Sequence, residues 1–193
     1  MSIKLVLGLG NPGERYAHTR HNAGFDVAAE VLRRRGRGRW LRHPKCDIAV
    51  LTPGRLVVLA CPSSFMNRSG GAAAALLSEF EIDPPEMLVV VDDIDLSLGM
   101  LRLRKSGGPG THNGLRDICD AVGTQFPRLR VGVRGDTIGG HLADYVTSPF
   151  ESDELSRVDA TILRAADAVD ATLRDGIEKA MNIFNRPPAP FEG

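Results

Sequence analysis

The stretch Ile3-Lys4-Leu5-Val6-Leu7-Gly8-Leu9-Gly10-Asn11-Pro12-Gly13 constrains this chain more than any other. Residues 3 to 7 are apolar apart from Lys4, the pattern of a strand covered on both faces, and such strands belong in parallel sheets flanked by helices. The glycines that follow spell G-x-G-x-x-G, the dinucleotide fingerprint, and turn the chain sharply. In a dinucleotide fold the helix starts inside that fingerprint and leads to a second parallel strand. Here helical spacing begins only near Asn22, which reads as a cap, and continues through Phe25, Ala28, Ala29 and Leu32 before Gly36 stops it. Arg33, Arg34 and Arg35 could serve a 2′-phosphate in an NADP enzyme, but no strand-like run appears before Asp47. The fingerprint is therefore a weak match, and no cofactor is expected.

Strands and helices alternate along the rest of the chain. Residues 47–51 and 55–60, parted by Pro53-Gly54, predict a hairpin. Residues 67–80 predict a helix whose small side chains pack closely on the sheet, and 86–91 has the apolar density of a central strand ending at Asp92. Short strands at 101–104 and 129–133 flank a glycine-rich loop, KSGGPGTHNG, and a helix from about Gly114 to Val122. Leu155, Val158, Ile162, Ala165, Val169 and Leu173 mark one long amphipathic helix from Glu151 to Phe184. The expected fold is α/β, a single domain with a twisted, mixed and mostly parallel sheet flanked by helices, the last being C-terminal and amphipathic. Residues 1–185 form the domain and 186–193 read as a disordered proline-rich tail. At 193 residues and 42% hydrophobic content, the chain can bury a core without disulfides or metals.

Charge and cysteine content exclude several classes. The 24 Lys plus Arg balance 24 Asp plus Glu, so any nucleic-acid contact must come from a local patch; RRRGRGR, 33–39, reads as such a patch or as a solvated loop. Cys46, Cys61 and Cys119 lack C-x-x-C spacing and read as reduced, small hydrophobes. No run approaches the roughly 20 apolar residues of a membrane span, and a cytoplasmic location is expected.

Open α/β sheets bind ligands at the carboxyl ends of their strands. Asn11 follows one such end, Thr19-Arg20-His21-Asn22 lies in the next loop and Asp92 closes another strand, so Asn11, His21 and Asp92 are expected to converge. Other readings stand beside this one. His21 could be exposed or capping, and Asp92, Asp93 and Asp95 could form a polar turn or a Mg²⁺ site. Asn67 and Asn113 could cap helices, Met66 could be core, and arginines on short strands could simply face solvent. The chain has no G-x-S-x-G elbow.

GLGNPGERYAHTRHNAGFDV, SSFMNRSGGA, VVVDDIDLSLG and GTHNGLRDI follow one another here in the order seen in the bacterial peptidyl-tRNA hydrolase family, which the chain resembles over roughly residues 3 to 185. The resemblance implies a cofactor-free, metal-free, monomeric enzyme that cleaves the ester joining a stalled peptide to tRNA. It implies that His21 is the general base and that Asp92 orients it. The positive end of the following helix dipole favours a neutral ring there. By the same resemblance Asn11 and Asn67 contact the peptide near the ester, Asn113 helps place water and the terminal adenosine, and Tyr16, Phe65 and Met66 line or support the substrate channel. Arg104, Arg130 and Lys105, with Arg102 nearby, would hold tRNA phosphates. His112 is assigned a structural role. Pro109 and Thr111 stand where the family usually has histidine and glycine, which stiffens the glycine-rich loop, and Ser63-Ser64-Phe65 replaces a threonine-tyrosine pair. Contacts from residues 134–141 do not transfer. A non-catalytic RNA-binding relative of the same fold is the alternative, although such a protein has no need to keep the polar set that is present here.

Overall fold

A computed structural model describes residues 2–35, 38–51, 56–136 and 141–188. Seven strands form one sheet: β1 (Leu5–Gly8), β2 (Leu41–Arg42), β3 (Cys46–Leu51), β4 (Val57–Pro62), β5 (Met87–Ser97), β6 (Leu101–Arg104) and β7 (Arg128–Arg134), in the order β2-β3-β4-β1-β5-β7-β6. The central β4, β1, β5 and β7 are parallel; β3 on one side and β6 on the other run antiparallel to them, and the edge strand β2 pairs antiparallel with β3. The sheet is thus mixed with a parallel centre, as its apolar runs require. β1 begins and ends slightly later than the sequence predicts, and β5 continues beyond Asp92 to Ser97.

Alternation along the strands divides the core in two. Val6, Leu59, Leu88, Val90, Leu129 and Val131 face α1 (Ala23–Arg33) and α5 (Leu155–Asp175). Leu5, Leu7, Val58, Val89 and Val91 face α2 (Ser69–Glu79) and α3 (Asn113–Val122). Each fully buried Leu or Val contributes about 1.5–3 kcal/mol, so both layers are needed to hold the sheet's centre.

Several local expectations are corrected. The C-terminal helix is two helices, because Gly176 adopts φ 88° and separates α5 from α6 (Ile177–Phe184). Periodicity misses the break because Ile177, Met181 and Phe184 pack on the same core as α5. A short α4 (Leu142–Thr147) was not anticipated. The small residues of α2 also serve α3: a Cβ on Gly70 would lie 2.3 Å from the Asp117 carbonyl oxygen, and Gly70 N–H donates to the Asp117 carboxylate at 2.6 Å. Asn22 does not cap α1; its side chain instead holds the backbone of Asn11, accepting from N–H at 2.7 Å and donating to the carbonyl at 3.0 Å. In the basic run, Arg33 pairs with Glu30, Arg34 with Glu30 and Asp167, and Arg35 with Asp170, so Arg34 and Arg35 pin the end of α1 to α5. Gly36, Arg37, the hairpin turn 52–55 and residues 189–193 of the tail lie outside the described residues. Among the described residues, no helix is long and apolar enough to cross a membrane.

Two glycines bring the loop after β1 into position. A Cβ on Gly8 would lie 2.4 Å from the Gly24 carbonyl oxygen, and one on Gly24 would lie 2.5 Å from Leu9 N. The backbone of α1 therefore rests directly on the end of β1. The fingerprint's first glycine serves this approach.

Candidate active site

The chain order of the sheet reverses at β1, which lies between β4 and β5. Such a reversal opens a crevice beyond the strands' carboxyl ends. Asp92 sits there in β5 with its side chain 2% exposed, and the 3-10 turn Arg20–Asn22 places His21 against it. His21 Nδ1 lies 2.9 and 3.0 Å from the two carboxylate oxygens of Asp92. A carboxylate only accepts, so Nδ1 carries the hydrogen and Nε2 keeps a free lone pair.

Asp92 has a second partner. His112 Nε2 lies 2.9 Å from Oδ1, and the two imidazole centroids are 4.9 Å apart. Nδ1 of His112 accepts the Leu115 N–H at 3.2 Å and so caps α3. That cap puts the His112 hydrogen on Nε2, directed at Asp92. Burial would push the Asp92 carboxyl up, but His112, followed by His21, holds it well below the usual carboxylate range through the N–H groups aimed at it. The structural role assigned to His112 is thus specific: it caps a helix and anchors the carboxylate that orients His21.

The same tautomer bears on metal binding. His21 Nδ1, Asp92 and His112 Nε2 bring donor atoms within 4.8 Å of one another. A nitrogen ligand needs a lone pair, and the cap on α3 takes it away from His112 Nε2. The neighbouring acids are engaged as well. Asp93 is 3.0 Å from Arg130 Nε and accepts the Asp95 N–H at 2.9 Å; burial raises its pKa against the pull of Arg130. The aspartate cluster is therefore built for hydrogen bonding, and its donor set fits a cation poorly.

A cleft of about 260 Å³ is lined by His21, Asp92, His112, Asn113 and Arg130, with Leu142, Ala143 and Val146 of α4 opposite. Asn113 is exposed, and it does not cap α3 because His112 does. Its Oδ1 accepts from Arg116 Nη1 at 3.1 Å, which leaves the amide NH₂ to face a ligand. Asn11 borders a second groove of about 990 Å³ with Asn22, Phe25 and Trp40. Its Oδ1 accepts the Met66 N–H at 2.9 Å, so it ties the end of β1 to the turn before α2 and also keeps its NH₂ as a donor. Asn67 lies exposed in that turn and makes no cap.

The other expected contacts separate. Met66 is core, 4% exposed; a Cβ on Gly114 would fall 2.5 Å from its sulfur, so it supports the site from beneath. Tyr16 meets Phe65 edge to face at 6.3 Å, and Phe65 is 48% exposed, an apolar surface available to a substrate. Tyr16 reaches the histidine loop through its carbonyl, which accepts from Thr19 Oγ1 at 2.8 Å. In the β6–β7 pair, Arg102 opposes Arg130 and Arg104 opposes Arg128, so all four share one sheet face. Arg104 is exposed, whereas Lys105 pairs with Glu178 and Arg130 with Asp93. Arg128, which the sequence reading passed over, is buried; it stacks 4.2 Å from the Phe126 ring and donates to the carbonyls of Gly107, Gly108 and Thr124, pinning the glycine-rich loop. Its signal was present as the alternation Arg128, Arg130 along β7.

Comparison with known proteins agrees with this fold. Residues 5–191 match the family model for peptidyl-tRNA hydrolase. The chain is 46% identical over 187 residues to a peptidyl-tRNA hydrolase of Roseiflexus castenholzii, covering 95% of this chain and 87% of the relative. It is 40% identical to one from a Sulfurihydrogenibium species, covering 95% and 98%. The crystal structure of peptidyl-tRNA hydrolase from Acinetobacter baumannii superposes with a TM-score of 0.89 at 34% identity, covering 96% of this chain and 95% of that one. With matching sequence, matching fold and a polar cluster at the switch point of the sheet, the chain belongs to the peptidyl-tRNA hydrolase family.

Proposed function

We propose that this chain hydrolyses the ester between the peptide and the 3′ end of tRNA in peptidyl-tRNA, with His21 as general base. The observation that carries this reading is the hydrogen bond between His21 Nδ1 and Asp92, which leaves Nε2 with a lone pair at the cleft. Nε2 takes a proton from water, the resulting hydroxide attacks the ester carbonyl, and the tRNA 3′-oxygen leaves with a proton returned by the imidazolium. The free amide groups of Asn11 and Asn113 donate to the carbonyl and to the attacking water, and Asn67 and Phe65 receive the peptide. An activated ester asks no more of the protein than a base and fixed dipoles.

Cleavage of N-acetylaminoacyl-tRNA but not of aminoacyl-tRNA, with chelator present and no nucleotide added, is the expected result. Binding without cleavage would instead identify a non-catalytic RNA-binding relative, and loss of activity on chelation would identify a metal enzyme.

For the tRNA, we assign phosphate contacts to the arginine face of β6 and β7. Arg104 is its exposed member, while Arg130 is held by Asp93 and Lys105 by Glu178, so Arg104 dominates. Because the chain carries no net charge, a focused patch must supply the salt-dependent affinity. Arg104→Ala should raise KM several-fold, leave kcat unchanged and reduce the slope of log KM against log salt by about 1. An unchanged slope would move the RNA to another face.

A further inference from the structure

Arg20 is one of the largest side chains buried in the molecule, 2% exposed, and it sits beside His21 on the same 3-10 turn. Its guanidinium lies against two aromatic rings, 4.3 Å from the centroid of Tyr145 and 4.7 Å from that of Phe150. It pairs with Glu154, donates to the Pro149 carbonyl and reaches Ser148 Oγ at 3.3 Å. The backbone repeats the connection, with Arg20 N–H donating to the Ser148 carbonyl at 3.2 Å and Thr19 bridging Pro149. Every one of these partners lies between residues 145 and 154, the segment that starts in α4.

That segment also builds the cleft. α4 presents Leu142, Ala143 and Val146 opposite His21, and Tyr145 Oη is itself fixed by the Gly135 N–H at 2.9 Å. Burying a guanidinium costs several kcal/mol unless every face is matched. Here two aromatic rings stack against the guanidinium and both Nη groups are paired, while Nε is buried without a partner; only the flat fork of arginine stacks and pairs in this way. So large a desolvation, spent one residue from the base and wholly on the opposite wall, joins the two sides of the cleft.

We propose that Arg20 is a positioning residue: it locks α4 to the His21 turn, so that imidazole and apolar wall meet the ester as one rigid unit. This inference rests on His21 acting as the base. Arg20 touches no reacting atom, and the phosphate-binding face assigned above lies on other strands, so its loss should appear in kcat and not in KM.

The test compares Arg20→Gln, Arg20→Lys and, as a control, Arg164→Gln on N-acetylaminoacyl-tRNA. Arg164 also has part-buried hydrogen bonds, to the Gly99 and Phe184 carbonyls, but lies in the middle of α5 against the C-terminal end of α6. Arg20→Gln should lower kcat about 100-fold with KM within about two-fold, the scale of effect expected when a reacting group is misplaced by an ångström. Arg20→Lys, which keeps the charge opposite Glu154, should recover about ten-fold of that loss. Arg164→Gln should lower Tm yet keep kcat within about two-fold. An Arg20→Gln protein with lowered Tm but wild-type kcat, measured where it is folded, would overturn the proposal. If Arg20→Gln does not fold, Arg20→Lys and Tyr145→Leu decide, and wild-type kcat in both would overturn it equally. An inactive His21→Ala beside a fully active Arg20→Gln defeats this inference alone, whereas an active His21→Ala defeats the reading beneath it.

Discussion

His21→Ala is expected to lower kcat on N-acetylaminoacyl-tRNA by about a hundred- to ten-thousand-fold, the usual range for losing a general base, while the protein stays folded. The ring is 12% exposed, and its one strong partner is Asp92, which retains His112 when His21 is removed. The stability cost is therefore about 1 kcal/mol, that of one hydrogen bond lost where its partner remains satisfied. KM should change little, because the tRNA contacts proposed above lie on β6 and β7. Wild-type turnover in the folded variant would remove His21 from the mechanism. An inactive variant that also fails to fold would point instead to a structural role for the ring.

Asp92→Asn should be at least as damaging, for a reason that lies in the tautomers. Two rings point N–H groups at this carboxylate, and His112 cannot change its tautomer without giving up its cap on α3. An amide has one oxygen. If that oxygen takes the place of Oδ1, which both rings share, the NH₂ takes the place of Oδ2, 3.0 Å from His21 Nδ1, and opposes a hydrogen there; the ring hydrogen is driven toward Nε2 and the base loses its lone pair. If the amide is turned over, its NH₂ meets the N–H groups of both rings. Neither orientation restores the base, so kcat should fall about a thousand- to ten-thousand-fold, comparable to the loss when a triad aspartate becomes asparagine. Raising the pH should not recover it. Stability provides a second readout. A carboxyl held below its unfolded value adds stability that is present above the ordinary carboxylate pKa and is lost as pH falls. The wild-type protein should therefore lose Tm more steeply than Asp92→Asn as pH is lowered through and below about 4. Identical acid profiles, or a kcat near wild type, would contradict the arrangement.

Much of this molecule could be read from residues close together in the chain. The run from Ile3 to Leu7 and the run from Met87 to Val91 announce strands buried on both faces, and both lie at the centre of the sheet. The spacing of Phe25, Ala28, Ala29 and Leu32 announces α1, although its real boundary depends on Gly24 touching Leu9. The break at Gly176 was legible too, as a glycine just past the last helical turn, but apolar residues recurring on both sides masked it. Asn11, His21 and Asp92 were expected to converge; His21 and Asp92 meet, while Asn11 borders a separate groove.

Other features are invisible to any local pattern because they depend on one side chain meeting residues far along the chain. Asn22 reads as a helix cap, yet its amide spans 11 residues to hold Asn11. Asn113 reads as a cap, yet His112 takes that task and in doing so settles which nitrogen faces Asp92. Arg20 reads as a charge in a loop; 134 residues separate it from Glu154, and nothing near position 20 announces a pocket walled by Tyr145 and Phe150. Periodicity and composition settle which segments are strands and helices and which faces are buried, since those depend on neighbours in the chain and on the aversion of apolar groups to water. Which proton sits on which ring, which arginine meets an acid and which stays free for phosphate depend on distances between distant segments. Those distances exist only once the sheet has brought its strand ends together.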